Sequence, residues 1–240
     1  MRSSLCFAAL ILALPLSAGA FEFPPTSLGA YAGVYLLECP AINNNVICVN
    51  GDPALGAAPV FGGLIRLALP KSCFLEVNLG HSSQGTVSSE PNWPKDSLIT
   101  EGTLVIIPLA LALGRHSQAM PRLWWTAGLK AGYTLATLEI DSMAHRSDGS
   151  LFSSHHAGRG EGFFLGFLLG LDIKIHRRLD LSVNFDYHFG DIKRLEVIAS
   201  DDPARIGFPM EYYDLASETV KPLPVEVSQA LLYYTLKFNF

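Results

Sequence analysis

His81 and Ser83 stand two positions apart, with Glu90 following. On a strand, positions i and i+2 share a face. The imidazole could therefore take the hydroxyl proton within hydrogen-bonding reach, with a nearby carboxylate as the third member of an acyl-transfer set. A pair at this spacing arises easily by chance, and no longer motif surrounds it. The plainer reading is the polar end of a strand. His155 and His156 carry the donor chemistry of a metal pair, but adjacent residues on a strand point to opposite faces, so they read as part of a polar loop. No catalytic residue, metal ligand or cofactor is assigned.

A second set of chemistry-bearing residues is scattered rather than clustered. Arg66, Glu76, Lys130, Asp172, Lys174, Asp186 and Lys237 are isolated charges among Gly, Ser, Thr and Asn at every second position. Buried charges must be compensated, so these are expected to pair with one another and plug an interior. A gated polar pore is the alternative.

The elements that would hold them are strands. In 179–190, Leu179, Leu181, Val183, Phe185, Tyr187 and Phe189 alternate with Asp180, Ser182, Asn184, Asp186, His188 and Gly190, a period of two that no helix gives. Eight such runs lie near 28–37, 59–69, 72–82, 100–113, 122–138, 161–175, 179–190 and 226–240. Their connections alternate in length. Pro70-Lys71, Gly114 to Pro121 and His176 to Arg178 are short; 38–58, 83–99, 139–160 and 191–225 are long. In an up-and-down arrangement all short turns then share one end.

Charge decides which face points inward. The chain of 240 residues is 49% hydrophobic but only 16% charged, against about 25% in soluble domains. One parity of each run is nearly charge-free, as a lipid-facing wall requires, since Arg or Lys at the midplane costs roughly 2–4 kcal/mol. Unpaired backbone in hydrocarbon costs several kcal/mol per group, so the sheet must close. The expected fold is all-β: an eight-stranded antiparallel up-and-down transmembrane β-barrel. Trp124, Trp125, Tyr133, Tyr187, Tyr234 and Phe240 would form its interfacial girdles.

Residues 1–20, with Arg2, an apolar run and Ala18-Gly19-Ala20, read as a cleaved secretory signal, leaving 21–240 as the barrel. Export permits disulfides, and Cys39 and Cys48 bracket an Asn-rich loop, so a bridge between them is expected, with two unpaired thiols as the alternative. Cys73 reads as a small apolar strand residue. The net charge of -5 offers no basic footprint for nucleic acid.

The C-terminal alternation, Tyr234, Leu236, Phe238 and Phe240 on one face, resembles the signal of bacterial outer-membrane barrels that is read by the barrel assembly machinery. Short turns at one end and long loops at the other resemble the small eight-stranded barrels of the OmpA transmembrane-domain, OmpX and OmpW types, over about 21–240. ITEGTLVIIPLALAL followed by PRLWWTAGLKAGYT is similar to the proline-bearing strand and the glycine-tyrosine strand of the OmpW/OprG family.

That resemblance implies an outer-membrane location with periplasmic turns, extracellular loops and contact with outer-membrane lipid. It also implies passage of a small hydrophobic ligand along Leu104, Ile106, Pro108, Ala110 and Ala112, with lateral exit at Pro108, which cannot donate a ladder hydrogen bond. Simple packing of the interior by those residues is the competing account. Two other functions stay open. The loop 191–225, with Asp201, Asp202, Tyr212 and Tyr213, could bind a host or other extracellular partner. Some eight-stranded barrels act on lipid A, which is the chemistry His81 and Ser83 would serve.

Overall fold

The structure, a computed structural model, describes residues 26–37, 39–45, 55–90, 97–145, 149–214, 217–226 and 229–240. The expected signal segment and Cys48 lie outside these residues. The strands are β1 (Thr26–Leu37), β2 (Ala57–Leu69), β3 (Cys73–Glu90), β4 (Ser97–Met120), β5 (Leu123–His145), β6 (Leu151–His176), β7 (Leu179–Ile192), β8 (Glu196–Ser200), β9 (Glu211–Asp214), β10 (Thr219–Pro222), β11 (Val225–Glu226) and β12 (Gln229–Asn239). A short helix, α1 (Pro40–Asn45), follows β1.

Eight of the strands form a closed antiparallel ring in the order β1-β2-β3-β4-β5-β6-β7-β12. β12 closes it, running from Ser27↔Asn239 to Leu37↔Gln229 against β1 and from Gln229↔His188 to Phe238↔Leu179 against β7. Closure leaves the membrane-spanning backbone without a free edge.

The period-two pattern sorts the side chains as the charge argument requires. Val34, Ile65, Leu79, Leu111, Leu129, Leu165, Phe185 and Leu236, on the eight successive strands of the ring, all stand exposed on the outside. Soluble monomers rarely show contiguous apolar patches above a few hundred Å²; a belt around a whole circumference belongs in lipid. On β4 it runs from Val105 to Leu113. At about 3.3 Å per residue and a tilt of about 40°, that is roughly 20 Å of an apolar band that is typically about 25 Å tall. Beyond it come Glu101 at the long-loop end and Arg115 at the short-turn end, both exposed.

Several boundaries differ from the sequence reading. Gly114 to Pro121 is not a turn: β4 continues to Met120, and only Pro121-Arg122 turns the chain, with Arg122 at φ 71°. Its polar residues are a strand in water below the belt. Most of 139–160 is likewise strand, because β5 and β6 stay paired up to His145↔Leu151, well above the belt. The stretch 191–225 carries β8, β9 and β10 and the start of β11. Trp124, expected in the outer girdle, turns inward and stacks on His116 with ring centres 4.8 Å apart.

Candidate functional site

The interior has two halves of opposite chemistry. Toward the short turns it is charged. Arg66 and Glu76 are register partners on β2 and β3, and their Nη2 and Oε2 atoms lie 2.7 Å apart. Asp172 gathers the rest: Lys237 Nζ donates to its Oδ1 at 2.7 Å, Thr126 Oγ1 donates to its Oδ2 at 3.1 Å, and Arg66 Nη1 lies 3.3 Å from Oδ2. The Arg66 guanidinium sits over the Phe74 ring at 4.3 Å. Lys130 donates to Asp186, which also accepts from Tyr233 Oη at 3.3 Å. Lys130 on β5 faces Gly166 on β6, whose other partner is His188 on β7; a glycine there leaves the ammonium room to cross to Asp186. Three cations and three anions are buried together, so the plug is neutral. Breaking one pair would strand a buried charge.

Lys174 does not join this network. It is exposed at the short-turn rim, outside any ion pair among the described residues, because the inward face of β6 has by then passed beyond the packed interior.

Above the charges lies an aromatic layer. Tyr31 and Tyr233 are 5.0 Å apart, Phe164 stacks on His188 at 4.3 Å, and Tyr35 meets His188 edge-on at 6.2 Å. Beyond it the lumen is apolar, with Leu104, Ile106, Leu138 and Val60 from the wall. Pro108, Ala110 and Ala112 are buried on the same face of β4 as Leu104 and Ile106.

The apolar half is filled from the loops. Ile192, Leu195, Leu223 and Val225 are fully buried, as are Ile42 and Leu55 from the β1–β2 connection. Backbone bonds tie this cap together: Leu195 N to Leu223 O at 3.3 Å, Met210 N to Leu195 O at 2.7 Å and Leu223 N to Met210 O at 2.7 Å. Asn43 Nδ2 donates to Leu55 O at 2.9 Å and its Oδ1 accepts from Leu55 N at 3.0 Å. Glycines on β6 make the space. A Cβ on Gly158 would lie 3.1 Å from Met210 Sδ, and one on Gly160 would lie 2.8 Å from Leu195 Cδ2. The sequence reading missed these cap residues; the signal was the glycine face of β6 opposite apolar residues embedded in a long polar loop.

Pro108 marks the place where the wall thins. The β3–β4 ladder pairs Leu79 with Leu109 and then Ser82 with Ile106, skipping Gly80/Pro108 and His81/Ile107, while Pro108 stays paired with Thr134 on β5. The register is unchanged across the skip, so this is a missing stretch of ladder and not a bulge. A Cβ on Gly80 would meet Tyr31 Oη at 2.6 Å and Pro108 Cγ at 3.1 Å; the tyrosine hydroxyl occupies the thin spot. Thr134 Oγ1, across from Pro108, is buried without a hydrogen-bond partner among the described residues. Along β4 the break stands between Ala112, flanked by Glu76 and Lys130, and Leu104, flanked by Gln84 and Leu138.

No sequence family and no curated protein matches the chain. Among solved structures, OprG from Pseudomonas aeruginosa aligns with a TM-score of 0.50 at 12% identity, over 91% of this chain and 97% of that one. A major outer membrane protein from Thermus thermophilus aligns at 0.45 and 13% identity, over 90% and 98%. Neisserial surface protein A aligns at 0.42 and 13% identity, over 90% and 97%. The chain has the fold of the small outer-membrane β-barrels. On that fold the apolar belt is the membrane-facing surface, and the short-turn and long-loop ends are termed periplasmic and extracellular as in OprG-like barrels.

The remaining sequence candidates fall outside the lumen. His81 and Ser83 project from the outer face of β3 and share no hydrogen bond among the described residues. His155 and His156 separate as their adjacency required. His155 Nδ1 lies 2.7 Å from Asp141 Oδ1, and His156 Nδ1 lies 3.0 Å from Ser200 Oγ. The Asp141 carboxylate raises the His155 pKa above the usual imidazole value. Both rings staple the extracellular extension, β5 to β6 and β6 to β8. Cys39 is buried; its expected partner Cys48 is outside the described residues. Tyr234, Leu236, Phe238 and Phe240 are exposed along the outer face of β12 and just past its end.

Proposed function

We propose that the barrel carries small hydrophobic molecules from the extracellular side into the apolar half of its lumen and releases them sideways into the membrane beside Pro108, as an OmpW-like barrel would. The observation that carries this reading is the position of the break in the β3–β4 ladder, which lies on β4 between the apolar half above it and the charged plug below it. Straight passage would break buried ion pairs at several kcal/mol each. Sideways release keeps an apolar solute in apolar surroundings, where each Å² kept from water is worth about 25 cal/mol. The cap fills the route, so transport uses a minor, cap-displaced state that the solute selects.

Proteoliposomes with lipopolysaccharide in the outer leaflet test this. The wild-type barrel should take up small apolar compounds faster than empty vesicles. Pro108→Val restores an N–H for the ladder and should slow the gain several-fold. Equal rates for wild type, variant and empty vesicles across several compounds would remove the reading.

A second reading rests on the extracellular extension. Ile198 on β8 and Ile206 and Phe208 in the connection after it stand exposed, as do Leu151 and Phe152 at the start of β6, with exposed Glu196, Asp201 and Asp202 near them in the chain. Apolar tips beside mixed charges, with Arg205 pairing Asp202 and leaving Glu196 and Asp201 as the further carboxylates, suit an amphipathic polypeptide with cationic residues from an extracellular partner. A cationic amphipathic peptide should bind the wild type and lose affinity for Phe208→Ser; an unchanged affinity would count against it.

A further inference from the structure

At the periplasmic mouth, below the charged plug, a cavity of about 330 Å³ remains between the short turns. Its floor is Arg66, Asp172 and Lys237, whose charges are consumed by one another and by Glu76. One wall is the stacked pair His116 and Trp124, with His116 Nε2 3.0 Å from Asp172 Oδ2. Lys174 and Arg177 line the cavity from the neighbouring strand β6 and the turn after it, with Asp180, the register partner of Lys174, beside them. Asp180 Oδ2 accepts from Asn239 Nδ2 at 2.8 Å.

Lys174 and Arg177 are exposed and make no ion pair among the described residues. The same is true of Lys71, Arg115, Arg122 and Arg178 around the mouth. Six exposed cations thus stand at one end of a chain whose net charge is -5, two of them, Lys174 and Arg177, lining the cavity. Asp180 offsets only part of their repulsion, and a low-dielectric cavity focuses the remaining field on its interior. The volume sits at the small end of the range for ligand pockets, roughly 300–1,000 Å³. A guanidinium fork and an ammonium on one wall match the oxygens of a phosphate, while the Trp124–His116 wall offers an apolar surface to the group it esterifies.

We infer that this vestibule is a binding site for a phosphate ester, supplied either by an anionic phospholipid headgroup of the inner leaflet or by a soluble periplasmic phosphoester. It is independent of the hydrophobic route, from which the buried plug separates it. The site lies at the depth of the inner-leaflet headgroups, since the apolar belt ends just above Arg115. The exposed Phe240 on its rim is placed to meet acyl chains if the source is lipid.

The full-length barrel in zwitterionic detergent-free nanodiscs of neutral lipid is titrated with glycerol phosphate, with glycerol and with acetate, following tryptophan fluorescence; a Trp124→Phe variant identifies the reporting ring. Saturable change with glycerol phosphate alone, weakened at least tenfold in the exposed double variant Lys174→Gln/Arg177→Gln, supports a soluble phosphoester. Change that appears only when phosphatidylglycerol is built into the disc, and is lost in the same double variant, supports the lipid headgroup. Heat-dependent gel mobility confirms that the double variant keeps its barrel. No saturable response to either source, an equal response in the double variant, or acetate binding as tightly as the phosphate would overturn the inference.

Discussion

The two halves of the lumen are built from the same alternating strands, yet they close in opposite ways. The periplasmic half is closed from the wall itself: every member of the plug sits on a ring strand, held by register, as Arg66 is to Glu76. The extracellular half is closed by visitors, residues such as Leu195 and Leu223 that belong to connections and enter over the glycines of β6. A lock made of the wall opens only if the barrel is damaged. A lock made of loops can open while the barrel stands, which is why the proposed route runs through the upper half and leaves by the side.

The contrast is broken most severely in the charged half. Lys130→Met strands Asp186 in the interior and should cost about 3–5 kcal/mol, read as a lowered midpoint in the heat-dependent change of gel mobility. Adding Asp186→Leu should return most of that loss. If the single variant melts like the wild type, the plug is not a lock.

A smaller effect is expected in the cap. Leu195→Ala removes buried methyl groups worth about 2–4 kcal/mol locally, but the cost should fall on the cap and not on the ring. The gel transition should stay within a few degrees of wild type, while amide exchange at Leu223 and Met210 quickens and uptake of apolar solutes rises. A global loss of stability would show that the two halves form one cooperative unit.

The smallest effect concerns pH. Because Asp141 raises the His155 pKa, the pair stabilises the extension fully below about pH 6.5, the unfolded imidazole value, and loses its contribution as pH rises through the raised value. Both groups are well exposed, so solvent screening keeps the effect small. Amide exchange around 153–156, corrected for intrinsic rates, should be slower at pH 6 than at pH 8.5, and His155→Ala should abolish the difference. An unchanged difference in that variant would leave the staple without a role.

Much of this was legible in the sequence because lipid imposes a simple demand. Charge-free parity on one side of each strand is a physical necessity in hydrocarbon, and it located the eight membrane crossings. Where that demand ends, so does legibility. Ser117 and Gln118 look like turn residues but lie on a strand bathed in water, and Glu139 and Asp141 interrupt a pattern that the backbone pairing does not. The lumen path Leu104 to Ala112 could be placed on the inward face, but that it is filled depends on residues some ninety positions away in 192–225, which no local period reveals. Lys174 had the correct parity for the plug and the wrong depth; parity fixes the face of a residue and says nothing about how far along the barrel the packed interior extends.

The central claim, a lumen sealed to ions below and usable by apolar solutes above, is tested most directly by measuring both fluxes in the same proteoliposomes. The account predicts accelerated uptake of a small apolar fluorophore, slowed by Pro108→Val, with ionic conductance no higher than in empty vesicles. Steady ionic conductance through the wild-type barrel, or apolar uptake no faster than in empty vesicles, would contradict it.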